Sequence, residues 1–285
     1  MISGRHLQFA TMTLWAALLS NSAKWQTTTA QTLSERSTSG WTLVWSDEFD
    51  QPNDSRPDPA RWKFDVGGGG WGNDELEFYT TRPENSFIRN GNLVIRAENE
   101  IFTGHNVTRH YTSARIKTQG LFDQAYGRFE ARIKIPTGQG MWPAFWLLGN
   151  NSATLGWPAC GEIDIMENIG SEPSAIHGSM HGPGYSHEHA LTSTYKLPSG
   201  AFSDDFHVYA VEWEPKLLRF FVDQHLYAIL TPRGLPAGRR WVFDHPFFIV
   251  LNLAVGGDWP GPPDSTTVFP EEMLVDYVRV YKRSS

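Results

Sequence analysis

From Trp41 onward, apolar and polar side chains alternate in short runs. In G-R-F-E-A-R-I-K-I, residues 127–135, Phe129, Ala131, Ile133 and Ile135 fall on one side of an extended chain, and Arg128, Glu130, Arg132 and Lys134 on the other. A period of two marks a strand with one face toward a core. L-V-I-R-A (93–97), after the turn Asn90-Gly91-Asn92, predicts another strand. So do F-H-V-Y-A-V-E-W (206–213), L-L-R-F-F-V-D (217–223), F-F-I-V-L-N-L-A-V (247–255) and M-L-V-D-Y-V-R-V-Y (273–281). Helical turns are expected only near Asp58–Trp62 and Pro270–Met273. Strands spread over residues 41–283 without an internal repeat predict an all-β domain, a two-sheet antiparallel sandwich of jelly-roll type.

One run breaks the period. G-E-I-D-I-M-E-N, residues 161–168, sets Glu162, Asp164 and Glu167 among isoleucines and a methionine. In a regular strand Glu162 and Asp164 share a face, while Glu167 falls with Ile163 and Ile165. An unpaired charge buried there is costly. A β-bulge near Ile165 or Met166 returns Glu167 to the face of the other two acids. The glutamate Cα atoms would then lie about 13 Å apart along the strand. Leaning side chains can bring the carboxyl groups toward the ~5–5.5 Å gap of retaining glycosidases, whereas inverting enzymes need ~6.5–9.5 Å. Three acids on one face cannot all ionise freely, so at least one holds its proton to higher pH. That suits a nucleophile paired with a general acid. A solvated acidic face and a Ca²⁺ or Mg²⁺ site are the competing readings.

The aromatic residues shift this balance. Trp142 and Trp146 are four apart, on one face of a strand; Trp157 precedes the acidic run; Trp71 and Trp259 sit in Gly-rich segments. Tryptophans flanked by Gly and Pro loops beside a carboxylate cluster point to a carbohydrate cleft, since sugar rings present apolar faces to aromatic rings. The formal net charge of −7, without a basic cluster, argues against nucleic acid or an anionic membrane surface as partner. The single cysteine, Cys160, rules out an intrachain disulfide and reads as a small buried residue.

The N-terminus has the pattern of a secretory signal: Arg5 and His6, an apolar stretch over 7–19, then small residues. Residues 1–23 are expected to be the signal peptide, with Ala30 as the alternative cut, and the Thr/Ser/Gln-rich 24–40 a linker. The apolar stretch is too short for stable membrane insertion. Secretion, extracellular or periplasmic, is therefore expected. Asn53, Asn106 and Asn150 fit the glycosylation sequon.

G-E-I-D-I-M-E-N resembles the signature of glycoside hydrolase family 16, in its laminarinase-like (endo-β-1,3-glucanase) branch. Further segments resemble it in order, among them W-S-D-E-F-D (45–50), W-G-N-D-E-L-E-F-Y-T (71–80), Y-G-R-F-E-A-R-I-K-I-P (126–136), G-M-W-P-A-F-W-L-L-G (140–149), H-G-S-M-H-G-P-G-Y-S (177–186) and L-N-L-A-V-G-G-D-W-P-G (251–261). The resemblance implies a jelly roll whose concave sheet binds a β-glucan. It implies Glu162 as nucleophile, Glu167 as acid/base and Asp164 as their assistant, with retention of configuration. It implies Asn73, Glu75, Arg115 and His181 as polar sugar contacts, and Trp142, Trp146 and Trp157 as the aromatic platform, with Trp259 beside them. No catalytic cofactor is implied. A structural Ca²⁺ is, at Glu48, the Gly91 carbonyl and Asp276. A monomer is the default. Met166 argues against the lichenase branch, whose motif is one residue shorter, but leaves activity on mixed-linkage β-1,3-1,4-glucan open; that activity, transglycosylation and a non-catalytic β-glucan-binding role are the alternatives. Asp74, Glu77 and Asp258 depart from the branch pattern, and the segment Tyr185–Lys196, with His187, Glu188 and His189, is expected to shape one end of the cleft.

Overall fold

The computed structural model describes residues 40–284. The expected signal peptide (1–23, or to 30) and the linker up to residue 39 lie outside the described residues. Among the described residues the chain forms two sheets, one short helix, α1 (Ser152–Leu155), and two 3-10 turns. The seven-stranded sheet has the order β12 (Leu191–Lys196), β11 (Ala175–His181), β10 (Glu162–Glu167), β9 (Met141–Gly149), β16 (Phe247–Val255), β7 (Arg115–Lys117), β2 (Lys63–Asp65). The ten-stranded sheet runs β15 (His225–Leu230), β14 (Leu217–Val222), β13 (His207–Glu214), β8 (Gly127–Lys134), β17 (Glu271–Arg283), β5 (Asn92–Gly104), β6 (Val107–Ser113), β3 (Glu77–Tyr79). Two further strands join it, β1 (Trp41–Asp47) on β17 and β4 (Ser86–Arg89) on β5.

The sandwich is the architecture the alternation predicts. It is antiparallel with one exception: β3 pairs with β6 in parallel. The core lies between the sheets. Phe145, Leu147, Ile163, Met180, Leu251 and Leu253 enter it from the seven-stranded side, and Phe129, Ile133, Trp213, Phe220 and Val280 from the other. Each such side chain contributes roughly 1.5–3 kcal/mol by leaving water.

Three local expectations change. Pro270–Met273 forms no helical turn, because β17 begins at Glu271, pairs with Ala97 of β5 and buries Met273. The charged face of β8 is only half solvated, at Arg132 and Lys134. Arg128 and Glu130 are buried and bonded at 2.8 Å, with Arg128 also 3.3 Å from Glu212 and Tyr281 donating to Glu130 at 3.1 Å. Strand β8 is central, and the long side chains of β13, β14 and β17 cover it. Finally, β17 carries its own bulge, with Asp276 the extra residue between Val275 and Tyr277. Its buried positions therefore step from Met273 and Val275 to Val278 and Val280.

The positions expected to hold calcium are spread over three elements. Glu48 follows β1, Gly91 forms the β4–β5 turn at φ +72°, and Asp276 is the β17 bulge residue. Arg279 donates to both Glu48 oxygens, at 3.0 and 2.7 Å, and Arg132 donates to Asp276 at 2.8 Å.

The sheets approach closely beneath β11. Its residues His177, Ser179 and His181 face outward, so Gly178 faces the core, where an added Cβ would overlap the Tyr227 hydroxyl and lie 2.9 Å from the Phe220 ring. Gly178→Ala is expected to lower stability by about 1–3 kcal/mol. Urea unfolding of the variant against the parent chain measures it.

Candidate active site

The acidic run is built as its spacing predicts. Against β9, Asp164 pairs with Trp146 but Met166 with Phe145, so Ile165 is an extra residue. Against β11 the register shifts between Asp164 and Glu167 as well. Ile165 and Met166 are both buried in the core. Glu162, Asp164 and Glu167 consequently all line one cleft on the outer face of the seven-stranded sheet. The bulge converts the two-then-three spacing into a single row of carboxylates.

Each acid has its own neighbours. The Trp157 indole donates to Glu162 Oε2 at 3.1 Å, and the Trp142 indole to Glu167 Oε1 at 3.0 Å. His181, across from Glu162 on β11, brings Nε2 to 2.9 Å from Asp164 Oδ2 and 3.8 Å from Glu162 Oε1. The Asp164 contact is close but lacks the alignment of a hydrogen bond. The backbone N–H of His187 donates to His181 Nδ1 at 3.2 Å, so the ring proton sits on Nε2. His187 reaches that position with a left-handed backbone, φ +52°.

Burial dominates the electrostatics. It pushes the Glu162 carboxyl up to about 8, reinforced by the Asp164 charge and opposed by His181, Arg115 and the Trp157 hydrogen bond. Burial likewise raises Asp164. Glu167 is raised well above the carboxylate range by burial and then by Asp164, against the pull of His181 and Trp142. The row therefore holds protons at neutral pH, and its members share them. Glu162, Asp164 and His181 also offer atoms within 4.8 Å of one another, a spacing that suits a cation. His181 Nε2 bears the proton, however, and turns a donor rather than a lone pair toward the two acids, which is wrong for a metal ligand.

The cleft, of about 920 Å³, brings together every sugar-contacting residue expected from sequence: Asn73, Glu75, Arg115, Trp142, Trp146, Trp157, His181 and Trp259. On one wall the Arg115 guanidinium lies between two indoles, 4.9 Å from the Trp71 ring and 4.7 Å from that of Trp146, and its Nε is 3.0 Å from Asp65. Toward the other end, Trp259 stands edge-on to Trp142 at 5.5 Å. Trp157 and Trp259 remain 40% and 39% exposed, the state of rings waiting for an apolar face. Glu188 and His187 from the Tyr185–Lys196 segment do line the cleft, as does Asp258.

Other lining residues went unread in the sequence. Asn252 is the one polar residue in the apolar run of β16, and it accepts from the Trp146 indole at 2.7 Å. His177 lies across from Glu167 and contacts the edge of Trp259 at 5.0 Å. Both had a signal: Asn252 interrupts apolar continuity, and His177 shares strand phase with His181. Cys160 is buried, and burial with the nearby Glu162 charge pushes its thiol up to about 11, which keeps it a packing residue.

A row of protonatable carboxylates beneath an aromatic-lined groove defines a polysaccharide-cleaving hydrolase. The model for glycosyl hydrolases family 16 matches residues 73–279, and the chain belongs to that family. It is 45% identical over 251 residues to a beta-glucanase of Rhodothermus marinus, covering 85% of each chain. Its fold matches the catalytic domain of a Thermotoga petrophila endo-1,3-beta-glucanase (laminarinase), with TM-score 0.82, 48% identity, and 86% of this chain and 99% of that one covered. The endo-beta-1,3-glucanase of Pyrococcus furiosus is similar to the same degree, with TM-score 0.82, 50% identity, and 86% and 95% covered.

The raised carboxyls carry a stability consequence. The folded chain binds protons that the unfolded chain releases, so this contribution is complete below the ordinary carboxylate range. It is lost as pH rises toward the folded value of about 8 for Glu162. Thermal melts from about pH 5 to about pH 9 should show a smaller loss of Tm for Glu162→Gln than for the parent chain. Equal losses would mean that Glu162 ionises normally.

Proposed function

We propose that the protein is a retaining endo-β-1,3-glucanase acting on laminarin-type β-glucans. The observation that carries this is the bulge in β10, which sets Glu162, Asp164 and Glu167 in one row under the aromatic cleft. The cycle starts from the fraction of enzyme in which Glu162 is ionised, a fraction that grows as pH rises toward about 8, and that carboxylate attacks the anomeric carbon. Glu167 gives its proton to the departing glycosidic oxygen, and the C–O bond breaks to leave a glycosyl ester on Glu162. Glu167, now ionised, takes a proton from water. The water oxygen attacks the same carbon, the ester bond breaks, and Glu162 is freed as a carboxylate. Two inversions leave the β configuration. Asp164, between them, raises the proton affinity of both glutamates by its charge. His181 limits that effect on the same two groups.

Proton NMR of laminarin digestion follows the anomer formed first. Early β-anomer, absent with Glu162→Gln, supports the proposal; early α-anomer removes it. Glu167→Gln is expected to slow laminarin cleavage by roughly 10²–10⁴-fold. It should act far better on an aryl glucoside, whose leaving group needs no proton. Equal losses on both substrates would contradict the acid role.

The structural calcium ion enters here as a proposal that rests on the resemblance. Arg279 and Arg132 occupy the carboxylates of Glu48 and Asp276, so an ion must displace them. A Tm that rises in millimolar calcium and falls with EDTA supports the site; an unchanged Tm removes it. Secretion, supported by the N-terminal pattern and by a polymeric substrate, and a monomeric state are proposals of the same standing.

A further inference from the structure

Below the cleft wall lies a carboxyl group that the catalytic scheme does not use. Glu77 is fully buried, at 0% exposure, in the short strand β3. Its Oε2 accepts the Val255 backbone N–H at 2.7 Å. Its Oε1 is buried without a partner that donates to it. Glu75, two residues back and itself 4% exposed, is the neighbouring acid whose charge bears on the Glu77 carboxyl. Two ionised carboxylates would not share so dry a contact.

The direction of the surrounding hydrogen bonds says which acid is charged. The Trp146 indole can only donate, and it donates to Asn252 Oδ1 at 2.7 Å. The Asn252 amide must then present Nδ2 to the Tyr79 hydroxyl, at 3.2 Å. The Tyr79 hydroxyl in turn gives its proton to Glu75 Oε2, at 3.0 Å. From the other side Asn73 Nδ2 donates to Glu75 Oε1 at 3.0 Å. Every link points to Glu75 as the terminal acceptor, the state of a carboxylate anion. Arg115, over the Trp146 ring, is the nearby cation. An acceptor-only Glu75 can take a further bond from the unpartnered Glu77 Oε1 only when Glu77 carries a proton.

We propose that Glu77 is a positioning residue: its carboxyl, protonated at neutral pH, donates to Glu75 and so locks the Asn73–Glu75–Tyr79–Asn252–Trp146 chain that backs one wall of the glucan cleft. Burial, and then the Glu75 charge, hold the Glu77 proton well above the carboxylate range. The role in glucan binding rests on the glucanase reading; the protonation does not. The substitution that discriminates is Glu77→Gln, whose amide N–H₂ replaces the O–H donor while its carbonyl still accepts from Val255. Glu77→Leu removes the donor and fills the space.

Infrared spectra at neutral pH decide the protonation. The wild-type minus Glu77→Gln difference should show one protonated carboxyl C=O band. A carboxylate band in that difference, in place of the C=O band, overturns the proposal. Kinetics on laminari-oligosaccharides decide the role. Glu77→Leu should raise KM about tenfold while kcat stays within about twofold, and Glu77→Gln should restore KM to within about twofold of wild type. A Glu77→Leu enzyme with wild-type KM, or a Glu77→Gln enzyme as impaired as Glu77→Leu, overturns it. Should the wild-type chain leave laminarin uncut, the glucanase reading falls, and the infrared result still decides whether Glu77 is neutral.

Discussion

One extra residue in one strand carries this site. Were β10 regular, Glu167 would point with Ile163 and Ile165 into the core, an environment no unpaired carboxylate tolerates. The bulge at Ile165 turns the chain by one residue, buries Ile165 and Met166 together, and delivers Glu167 to the cleft. The neighbours are in phase with it. Trp146 and Ala144 of β9 stand across from Asp164 and Glu167, and His181 and His177 of β11 across from Glu162 and Glu167. The core packing of two apolar side chains and the placement of three acids are thus one event, and neither changes without the other.

The same constraint sets the electrostatics. Three carboxylates on one face of a sheet crowd their charges, and the sandwich beneath them excludes water. Both effects raise proton affinity. The tryptophans then separate the outer members: Trp157 donates to Glu162 and Trp142 to Glu167, while His181 is tied to Asp164 and Glu162. The cleft is therefore asymmetric about Asp164. The glucan wall beyond β9 follows a related logic, with a chain of donors converging on Glu75 and a buried neutral acid closing it.

Much of this was readable in the sequence because it rests on period and phase. Alternation placed β5, β8, β13, β14, β16 and β17, and its interruption at Glu167 located the β10 bulge. The tryptophans were legible from their Gly and Pro setting and the polar residues of the cleft from the resemblance, and the structure gathers all of them. What escaped notice rests on contacts between distant segments. The step from Val275 to Val278 in β17 is the same two-to-three change as in β10, but no misplaced charge drew the eye to it. The burial of Arg128 and Glu130 depends on β13 and β17 flanking β8, which a single strand cannot announce. Glu77 reads in sequence only as a departure from the branch pattern, because its burial beside Glu75 is a property of the packed fold.

The central claim is that the bulged row makes Glu162 the nucleophile. The most direct measurement is to trap the intermediate with a 2-deoxy-2-fluoro-β-glucosyl oligosaccharide bearing a reactive leaving group, digest the protein, and locate the label by mass spectrometry. The account predicts one fluoroglycosyl ester, on the peptide containing G-E-I-D-I-M-E-N and at Glu162. A label on Glu167, or full turnover-dependent inactivation with the label outside this peptide, would contradict it.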